Sequence, residues 1–457
     1  MTAQTGSAKI ETNTIFPIPA SERHGNGLGM FTLWFGVNLH ILTIVTGGLA
    51  TLTFELTLPS AILAILLGNA VGGIFMALHA AQGPQLGVPQ MIQSRGQFGS
   101  VGSLVVVAFT VFMYLGFVGS NFVLGASSLQ QVLPALSGKI SIIVIATISA
   151  VIAVFGHDLV DLCERWIAVI SGIALISCFL VILYTANIPA DLWLRGKFSW
   201  GSFLAMVAVG AVWQIAYAPY VSDYTRYLPS GTGGKTAFWS SYAGCVLGSI
   251  FPMLLGALLG LLAINGQIVP TIVALTGRAG LPIILAFTVA IVCASAVNLY
   301  CCALTAITAV QTFAMSWRAG SKARTSYTIC LTLIACIMAI AGAESFLNTY
   351  ENFIVLLLCV MSPWTAINLT DFYLLKHGSY DVSAFFETGG GRYGRYNVAA
   401  LSAFFLGAAA QVPFLNTQLY TGTITKWLDG ADISWLVGLI FTTAIYYPAE
   451  KYRMKRT

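Results

Sequence analysis

The stretch Ala216-Tyr217-Ala218-Pro219 interrupts a long apolar run, 203–221, near one of its ends. Proline lacks a backbone N–H group and clashes with the preceding turn, so this stretch predicts a break in a helix. An earlier apolar run, 30–53, carries Thr46-Gly47-Gly48 near its middle, where two glycines weaken a helix. Broken backbone at membrane depth is tolerated where it lines a cavity, and a simple kink is the alternative for either stretch.

The composition of the 457 residues indicates a bilayer as the surrounding medium. Hydrophobic residues make up 57% of the chain and charged residues only 8%, and the mean hydropathy is +0.84. So few charged side chains cannot cover the surface of a water-soluble globule of this length. The nine cysteines are an odd number and lie mostly in apolar runs, so no disulfide framework is expected. The polar residues 1–28 show no pattern of a cleavable signal peptide.

Twelve apolar runs along the chain predict twelve membrane-spanning helices, an even number that places both termini on one side. Sixteen of the 21 Lys and Arg residues then fall on the side of the termini. Because cytoplasmic loops retain basic residues, we expect both termini in the cytoplasm and the chain in the inner (plasma) membrane. The runs are 30–53, 61–80, 101–133, 140–155, 166–184, 203–221, 238–264, 283–313, 328–341, 353–375, 399–412 and 435–447.

The two interruptions lie five spans apart. This offset is expected if helices one to five and six to ten are inverted repeats with a site between them near the midplane. The third and eighth runs, again five apart, each carry one asparagine in an apolar stretch, Asn121 and Asn298. The predicted units are a cytoplasmic tail, two repeats and a C-terminal part with two helices and a cytoplasmic tail: 1–28, 29–186, 187–377 and 378–457.

The sequence offers little chemistry for catalysis, so an integral membrane enzyme is a remote alternative. The Gly-rich segment 229–236 has Pro229 where a phosphate-binding loop needs glycine. The five histidines have no paired metal-ligand spacing, and the ionisable residues within apolar runs are dispersed. A channel is a further class of membrane protein, and its sequence would favour a repeated pore loop or a ring of charged side chains. The net charge of +5 forms no nucleic-acid patch. We predict no catalytic residue, no metal site, no nucleic-acid partner and no obligate protein partner.

Motifs spread over nearly the whole chain include Leu33-Trp34-Phe35, Asn38, Thr46-Gly47-Gly48, Gly83-Pro84, Gly87-Val88-Pro89, Arg95, Phe98-Gly99, Gly102, the run 218–229, Pro363-Trp364, Asn368, Asp371 and the run 391–397. Together they resemble the nucleobase:cation symporter-1 family, in its branch of purine and cytosine permeases. The resemblance implies an all-α, LeuT-like membrane fold with twelve transmembrane helices. Ten helices would form a five-plus-five inverted repeat and two would follow it, with helices one and six broken at Gly47, Gly48 and Pro219.

In that family a flat heteroaromatic ring is held between helices one, three, six and eight, which implies the site residues of this chain. Phe117 would stack on the ring, and Asn121, one helical turn later on the same face, would hydrogen bond to its edge. Trp213 and Gln214 would meet the ring just before the break in the sixth span. The eighth and first spans would contribute Asn298, Ser295, Thr43, Thr46 and His40.

Structural roles stay open for the same residues, because aromatic side chains also pack in bundles or face lipid, and amides also hydrogen bond between helices. No charged residue lies at the implied ring position, which favours a neutral ring of the cytosine or purine class. The alternative is a related heterocycle of the allantoin, hydantoin, uracil, vitamin B6 or thiamine-precursor type. The expected partners are therefore a small heterocyclic substrate and the lipid bilayer.

The expected coupling ion is the proton, and no other cofactor is expected. Sodium-coupled members of the family present adjacent hydroxyl side chains on the eighth span. Those positions fall near Cys293 and Ala294 here, and neither side chain offers a hard oxygen ligand. His40 and Asp223 are the candidate proton carriers, although a structural role is open for both. Sodium coupling through Ser295 is the alternative.

Overall fold

The computed structural model describes residues 13–185, 188–417 and 420–456, which form an all-helical protein. Within these ranges the only strand pairing is two isolated β-bridges. Residues 1–12 of the predicted tail, 1–28, and the predicted boundary between the repeats, 186/187, lie outside the described residues. The α-helices are α1 (Gly27–Gly36), α2 (Ile41–Leu52), α3 (Leu58–Ala80), α4 (Gly83–Leu86), α5 (Gln90–Phe98), α6 (Leu104–Val132), α7 (Gly138–Phe155), α8 (His157–Thr185), α9 (Trp200–Ile215), α10 (Ala218–Thr225), α11 (Gly233–Leu262), α12 (Ile268–Thr276), α13 (Gly280–Phe313), α14 (Ser321–Gly342), α15 (Phe346–Leu369), α16 (Val398–Gln411), α17 (Thr423–Trp427) and α18 (Ser434–Met454).

Eight helical segments among the described residues are long and apolar enough to cross a bilayer, and the bent pair α1–α2 makes a ninth. One of these segments, Ser321–Leu375, contains both α14 and α15 and so covers two of the predicted spans. The apolar helix of the eleventh predicted run is shorter, Val398–Phe414. The fold is therefore that of an all-helical membrane protein, and the count of twelve spans stays a prediction.

The helix of the first predicted span is interrupted, but not where the glycines lie. α1 ends at Gly36 and α2 begins at Ile41, and the chain direction changes by 60° between them. Gly47 and Gly48 lie inside α2, so the prediction that they break the helix is wrong. A methyl group at Gly47 would lie 2.1 Å from the carbonyl oxygen of Met253 in α11. Glycine is needed there because it lets two helices approach closely.

The second interruption falls within the predicted stretch 216–219. Ala216 and Tyr217 separate α9 from α10, and Pro219 lies in the first turn of α10, where its missing N–H group has no helical partner to lose. α9 and α10 still run as one segment, Trp200–Thr225. This interruption therefore opens the helix locally, whereas the first one redirects the chain.

The helices around the two interruptions form the centre of the bundle. α13 packs against α6, α7 and α8, while α11 packs against α1, α2 and α3, and α9 packs along α3. One continuous cluster of buried apolar side chains runs through these helices. Large apolar side chains of α7, α8 and α14 are exposed instead, such as Ile173 and Ile337. The outer helices thus present the lipid-facing surface, and the interruptions lie in the protein interior.

Candidate substrate-binding site

A small cavity lies between the two interruptions. Its sides come from the segment that leads into α2, from α6, from the α9–α10 interruption and from α13. These are helices one, three, six and eight of the predicted scheme, so the structure brings together residues that lie far apart in the sequence. The lining residues are His40, Leu42, Phe117, Asn121, Trp213, Ala216, Tyr217, Tyr220 and Asn298.

Aromatic rings form one side of this cavity. Phe117 meets Trp213 edge to face, with ring centroids 5.9 Å apart and planes at 88°. Tyr217 and Tyr220 continue the surface, with centroids 5.2 Å apart. Phe117 and Trp213 are only 8% and 3% exposed, so neither faces lipid. Such rings offer flat surfaces on which a heteroaromatic molecule can stack.

Two amides line the cavity and keep an unused acceptor. The Oδ1 atoms of Asn121 and Asn298 are buried and have no hydrogen-bond partner among the described residues. Asn298 Nδ2 donates to the carbonyl oxygen of Ala294, 2.9 Å away in the same helix. Neither oxygen therefore bonds to another helix, which was the structural alternative for these amides. A buried acceptor without a partner costs about 1–3 kcal/mol, and a polar ligand in the cavity can recover that energy.

His40 connects the cavity to the first interruption. Its Nδ1 atom accepts a hydrogen bond from the Leu42 N–H group at 3.2 Å, so the side chain caps α2. In a neutral ring the proton then lies on Nε2, where it is a donor. The ring centroid of Trp213 is 6.3 Å from that of His40. His40 thus has the structural role that the sequence left open, and it also lines the cavity.

A buried hydrogen-bond network, the Asn38 network, joins the two interruptions. Asn38 Oδ1 accepts hydrogen bonds from Trp213 Nε1 at 2.8 Å, Tyr217 Oη at 2.9 Å and Ser249 Oγ at 2.9 Å. Asn38 Nδ2 donates to the carbonyl oxygen of Trp34 at 2.7 Å. One residue of the first interruption therefore fixes two residues at the second. The members of this network are Asn38, Asn69, Trp213, Gln214, Tyr217 and Ser249.

Gln214 belongs to this network and does not line the cavity. Its Nε2 atom donates to Asn69 Oδ1 at 2.8 Å and to Ser249 Oγ at 3.0 Å. Consecutive helical residues point about 100° apart, so Trp213 and Gln214 cannot both face one small cavity. The placement of Gln214 against the ring, implied by the resemblance, is therefore not what this geometry shows.

Three hydroxyl residues implied as contacts also lie outside the cavity lining. Thr46 Oγ1 is 2.7 Å from Tyr350 Oη and donates to the carbonyl oxygen of Leu42. Ser295 Oγ donates to the carbonyl oxygen of Ile291 at 2.6 Å. Thr43 is fully buried, and its Oγ1 atom has no partner among the described residues.

The second candidate proton carrier, Asp223, is also away from the cavity. It lies in α10 and is 1% exposed, and its Oδ1 atom accepts a hydrogen bond from the Gln90 N–H group at 2.9 Å. The main-chain oxygen of Asp223 accepts a hydrogen bond from Arg226 Nε at 3.1 Å. These contacts tie the start of α5 to the end of α10, which is a structural role.

Several lining residues and one cluster of ionisable side chains were not predicted from the sequence. Tyr217 was quoted as part of the interruption but not as a contact, and Tyr220 follows one turn later. Near the start of α8, ligand atoms of His24, His157 and Asp158 lie within 4.8 Å of one another. His24 precedes α1 and lies far from the other two in sequence, so spacing alone could not indicate this cluster.

The centre of the cavity has room for about one water molecule. A heteroaromatic ring is larger, so its binding would require the walls of the cavity to move apart. Phe117 packs on Phe353 of α15, with ring centroids 5.3 Å apart.

A separate cavity of about 360 Å³ lies beside the end of α2 and the start of α9, where Thr53 and Ser202 contribute to its lining.

The fold is similar to that of solved membrane symporters. Mhp1, a nucleobase-cation-symport-1 family transporter in a closed conformation with bromovinylhydantoin bound, has a TM-score of 0.79 at 17% identity, covering 98% of this chain and 97% of Mhp1. A Na⁺-coupled sialic acid symporter in a substrate-bound outward-open state has a TM-score of 0.65 at 13% identity, over 94% of this chain and 91% of that protein. The chain therefore has the same fold as these two proteins.

The family follows from sequence comparison. Residues 17–438 match the family described as permease for cytosine/purines, uracil, thiamine, allantoin. YxlA of Bacillus subtilis (strain 168), whose name places it among purine-cytosine permeases, is 38% identical over 450 residues, 98% of this chain and 97% of YxlA. The purine-cytosine permease fcyB of Emericella nidulans is 25% identical over 470 residues, 98% of this chain and 89% of fcyB. The chain belongs to this permease family, the nucleobase:cation symporter-1 family, and its relatives are transporters and not enzymes.

Proposed function

We propose that this chain is a secondary active transporter that imports a neutral heteroaromatic ring of the cytosine or purine class by proton symport. The observation that carries the proposal is the cavity itself. Phe117 and Trp213 offer ring faces, and Asn121 and Asn298 offer amide oxygens that have no partner among the described residues. An amide can both donate and accept, which suits the mixed edge of a nucleobase.

Alternating access follows from the positions of the interruptions. We propose that α1–α2 and α9–α10 are the broken helices one and six of two inverted repeats in a chain with twelve spans. Because the cavity holds only about one water molecule, ring binding and release require the helices around it to separate and close again. The cavity beside Thr53 and Ser202 would lie on the outer side in the predicted topology and would be the entrance from that side.

The proposed orientation places both termini in the cytoplasm of a cell whose inner (plasma) membrane holds the chain. In a cysteine-free background, a single cysteine beside Lys139 should react with an impermeant reagent added outside intact cells. A cysteine beside Arg318 should react only after the membrane is opened. The reverse pattern at both sites would show the opposite orientation, and labelling of both from one side would contradict the span count.

Proton coupling is supported by the eighth predicted span. Cys293 packs in an apolar cluster with Ile167 and Ala290, and its thiol offers no hard oxygen ligand. Ser295 Oγ donates its proton to its own helix. The second candidate is sodium symport of a related heterocycle, with the Ser295 oxygen as a ligand, because its lone pairs are still available in that hydrogen bond.

Thermal-shift screening of the purified protein against a panel of heterocycles tests the substrate class. The panel should contain cytosine, adenine, guanine, hypoxanthine, uracil, allantoin, a hydantoin and a vitamin B6 form. We expect stabilisation by cytosine or a purine, followed by uptake of the labelled compound into proteoliposomes under an inward proton gradient. Stabilisation by a hydantoin or allantoin alone would move the substrate class to the alternative. Uptake driven only by a sodium gradient would overturn proton coupling.

A further inference from the structure

A fully buried carboxyl group lies next to the first interruption. Glu164, in the second turn of α8, is 0% exposed, and neither of its carboxyl oxygens has a hydrogen-bond partner among the described residues. An ionised carboxylate in such a place is very costly unless a cation or several donors compensate it. In the packing that the structure shows, Glu164 is therefore accommodated as the neutral, protonated acid.

The carboxyl group packs directly against the end of α1. A methyl group built on Gly36 would lie 2.6 Å from the main-chain oxygen of Glu164 and 3.2 Å from its Oε2 atom. Gly36 is the last residue of α1, immediately before the 60° change of direction. The segment that follows contains Asn38 and His40, which hold the second interruption and line the cavity. Movement of α1 away from α8 would therefore expose Glu164 and alter the substrate cavity together.

Among the residues that the structure describes, the groups that face Glu164 provide no positive charge to hold it ionised. On α8 its electrostatic neighbours are Asp161 and Cys163, and Asp161 already pairs with Arg165 at 2.5 Å. The other titratable neighbours are Cys293 on α13, Tyr217 at the second interruption and Tyr224 on α10. α1 and α12 carry no titratable side chain, and the only one in α7 is Lys139, at its opposite end.

We propose that Glu164 binds the coupling proton. The inference rests on the proposed function and names the group that carries the ion, in place of His40 and Asp223. Water on the outer side delivers a proton to a carboxyl oxygen, which forms an O–H bond and allows α1 to pack on the neutral acid. When α1 and α8 separate toward the cytoplasm, water enters, the O–H bond breaks, and the proton leaves to water. One proton is bound and one is released for each ring that crosses.

The position of Tyr217 explains how proton and substrate depend on one another. Tyr217 lines the cavity, is bonded to Asn38, and lies within electrostatic reach of Glu164. A ring in the cavity and a proton on Glu164 therefore both act on the segment between α1 and α2. Proton and ring thus share one conformational change of this segment, so that the binding of one affects the binding of the other.

The test compares Glu164→Gln with wild type in proteoliposomes, using the ring identified by the thermal-shift screen. Glutamine has the shape of the protonated acid and cannot release a proton. With one proton per substrate, an inward gradient of one pH unit should drive about tenfold accumulation in wild type. Glu164→Gln should accumulate nothing above equilibrium while it still exchanges external for internal ring. Its exchange rate should also be independent of pH.

The controls distinguish a failure of this proposal from a failure of the proposed function. Glu344→Gln, which changes an exposed carboxyl, should accumulate like wild type. Accumulation by Glu164→Gln with the wild-type pH dependence would overturn the proposal. If wild type accumulates only under a sodium gradient, Glu164 is at most a sodium ligand and the proposal fails, although transport stands. If wild type neither binds nor exchanges any ring of the panel, the proposed function itself fails.

A second variant covers the case in which Glu164→Gln does not fold, judged by its thermal melt. Glu164→Asp keeps a carboxyl group but shortens the side chain by one methylene. We expect it to retain proton-driven accumulation with an altered pH profile of exchange. An unaltered profile would overturn the proposal, because the carboxyl that titrates would then be elsewhere.

Discussion

Two pairs of buried asparagines flank the interruptions, and they differ in what their oxygens contact. The oxygens of Asn38 and Asn69 have hydrogen-bond partners within the protein. Asn38 Oδ1 accepts three hydrogen bonds, and Asn69 Oδ1 accepts one from Gln214. Asn121 and Asn298 line the cavity, and their oxygens have no partner in the described part of the chain. The first pair holds the helices in place, whereas the second pair is available to a ligand. Burial alone does not tell the two kinds of amide apart.

The largest effect on stability is expected for Asn38→Ala. This change leaves the indole N–H group of Trp213 and the hydroxyl of Tyr217 buried without an acceptor. Each loss costs about 1–3 kcal/mol, so we expect about 2–6 kcal/mol of destabilisation. The thermal melt of the purified protein in detergent measures it. Asn121→Ala is the matched control, and its melting temperature should be close to that of wild type. Equal melting temperatures for both variants would contradict the distinction between the two pairs of asparagines.

The sequence predicted the second interruption better than the first, for a local reason. Pro219 carries its own signal, because proline restricts the backbone wherever it lies. The first interruption, Val37–His40, contains neither proline nor glycine, and it is held by partners that are distant in sequence, Trp213 and Tyr217. Gly47 gave a false local signal, because its role is contact with Met253.

The site residues also differ in whether a local sequence pattern or contacts distant in sequence determine their positions. The spacing of Phe117 and Asn121 on one helical face, together with the family resemblance, was enough to place both at the cavity. The choice between Trp213 and Gln214 needs the rotation of α9, which only the packing against α3 and α11 fixes. Glu164 was missed because the fifth predicted span was begun at residue 166, whereas α8 starts at His157.

The next largest effect is on the affinity for the ring, and it concerns Trp213, which belongs both to the Asn38 network and to the cavity lining. Trp213 forms one side of the cavity, and its Nε1 atom donates to Asn38. Trp213→Ala should remove stacking worth about 1–3 kcal/mol, a loss of roughly five- to 150-fold in affinity for the ring. Trp213→Phe keeps an aromatic face and should lose less affinity, although it lacks the N–H group. Equal affinity in all three proteins, measured by equilibrium binding, would place the ring elsewhere.

Smaller effects are expected for Asn121→Ala and Asn298→Ala, because each removes one hydrogen bond to the edge of the ring. A loss of about 0.5–1.5 kcal/mol corresponds to about two- to thirteenfold in affinity. The loss should differ between cytosine and a purine, since their edges present different groups, so the order of preference changes. Competition of unlabelled rings against labelled uptake, at equal surface expression, measures this order. An equal loss for every ring would indicate that the amides act on the helices and not on the substrate.

The smallest effect separates an unused oxygen at the cavity from one that is merely buried. Within the described ranges Thr43 Oγ1, like Asn121 Oδ1, has no partner, but Thr43 does not line the cavity. Thr43→Val removes the unpaired hydroxyl at nearly constant shape, so affinity should change by about twofold or less and the melt should not fall. Thr46→Val is the matched control, because it breaks the contact with Tyr350 and should lower the melt while affinity stays the same. A tenfold loss of affinity in Thr43→Val would mean that α2 turns this hydroxyl toward the ring when the cavity opens. The distinction between oxygens that line the cavity and oxygens that are only buried would then not hold for the open state.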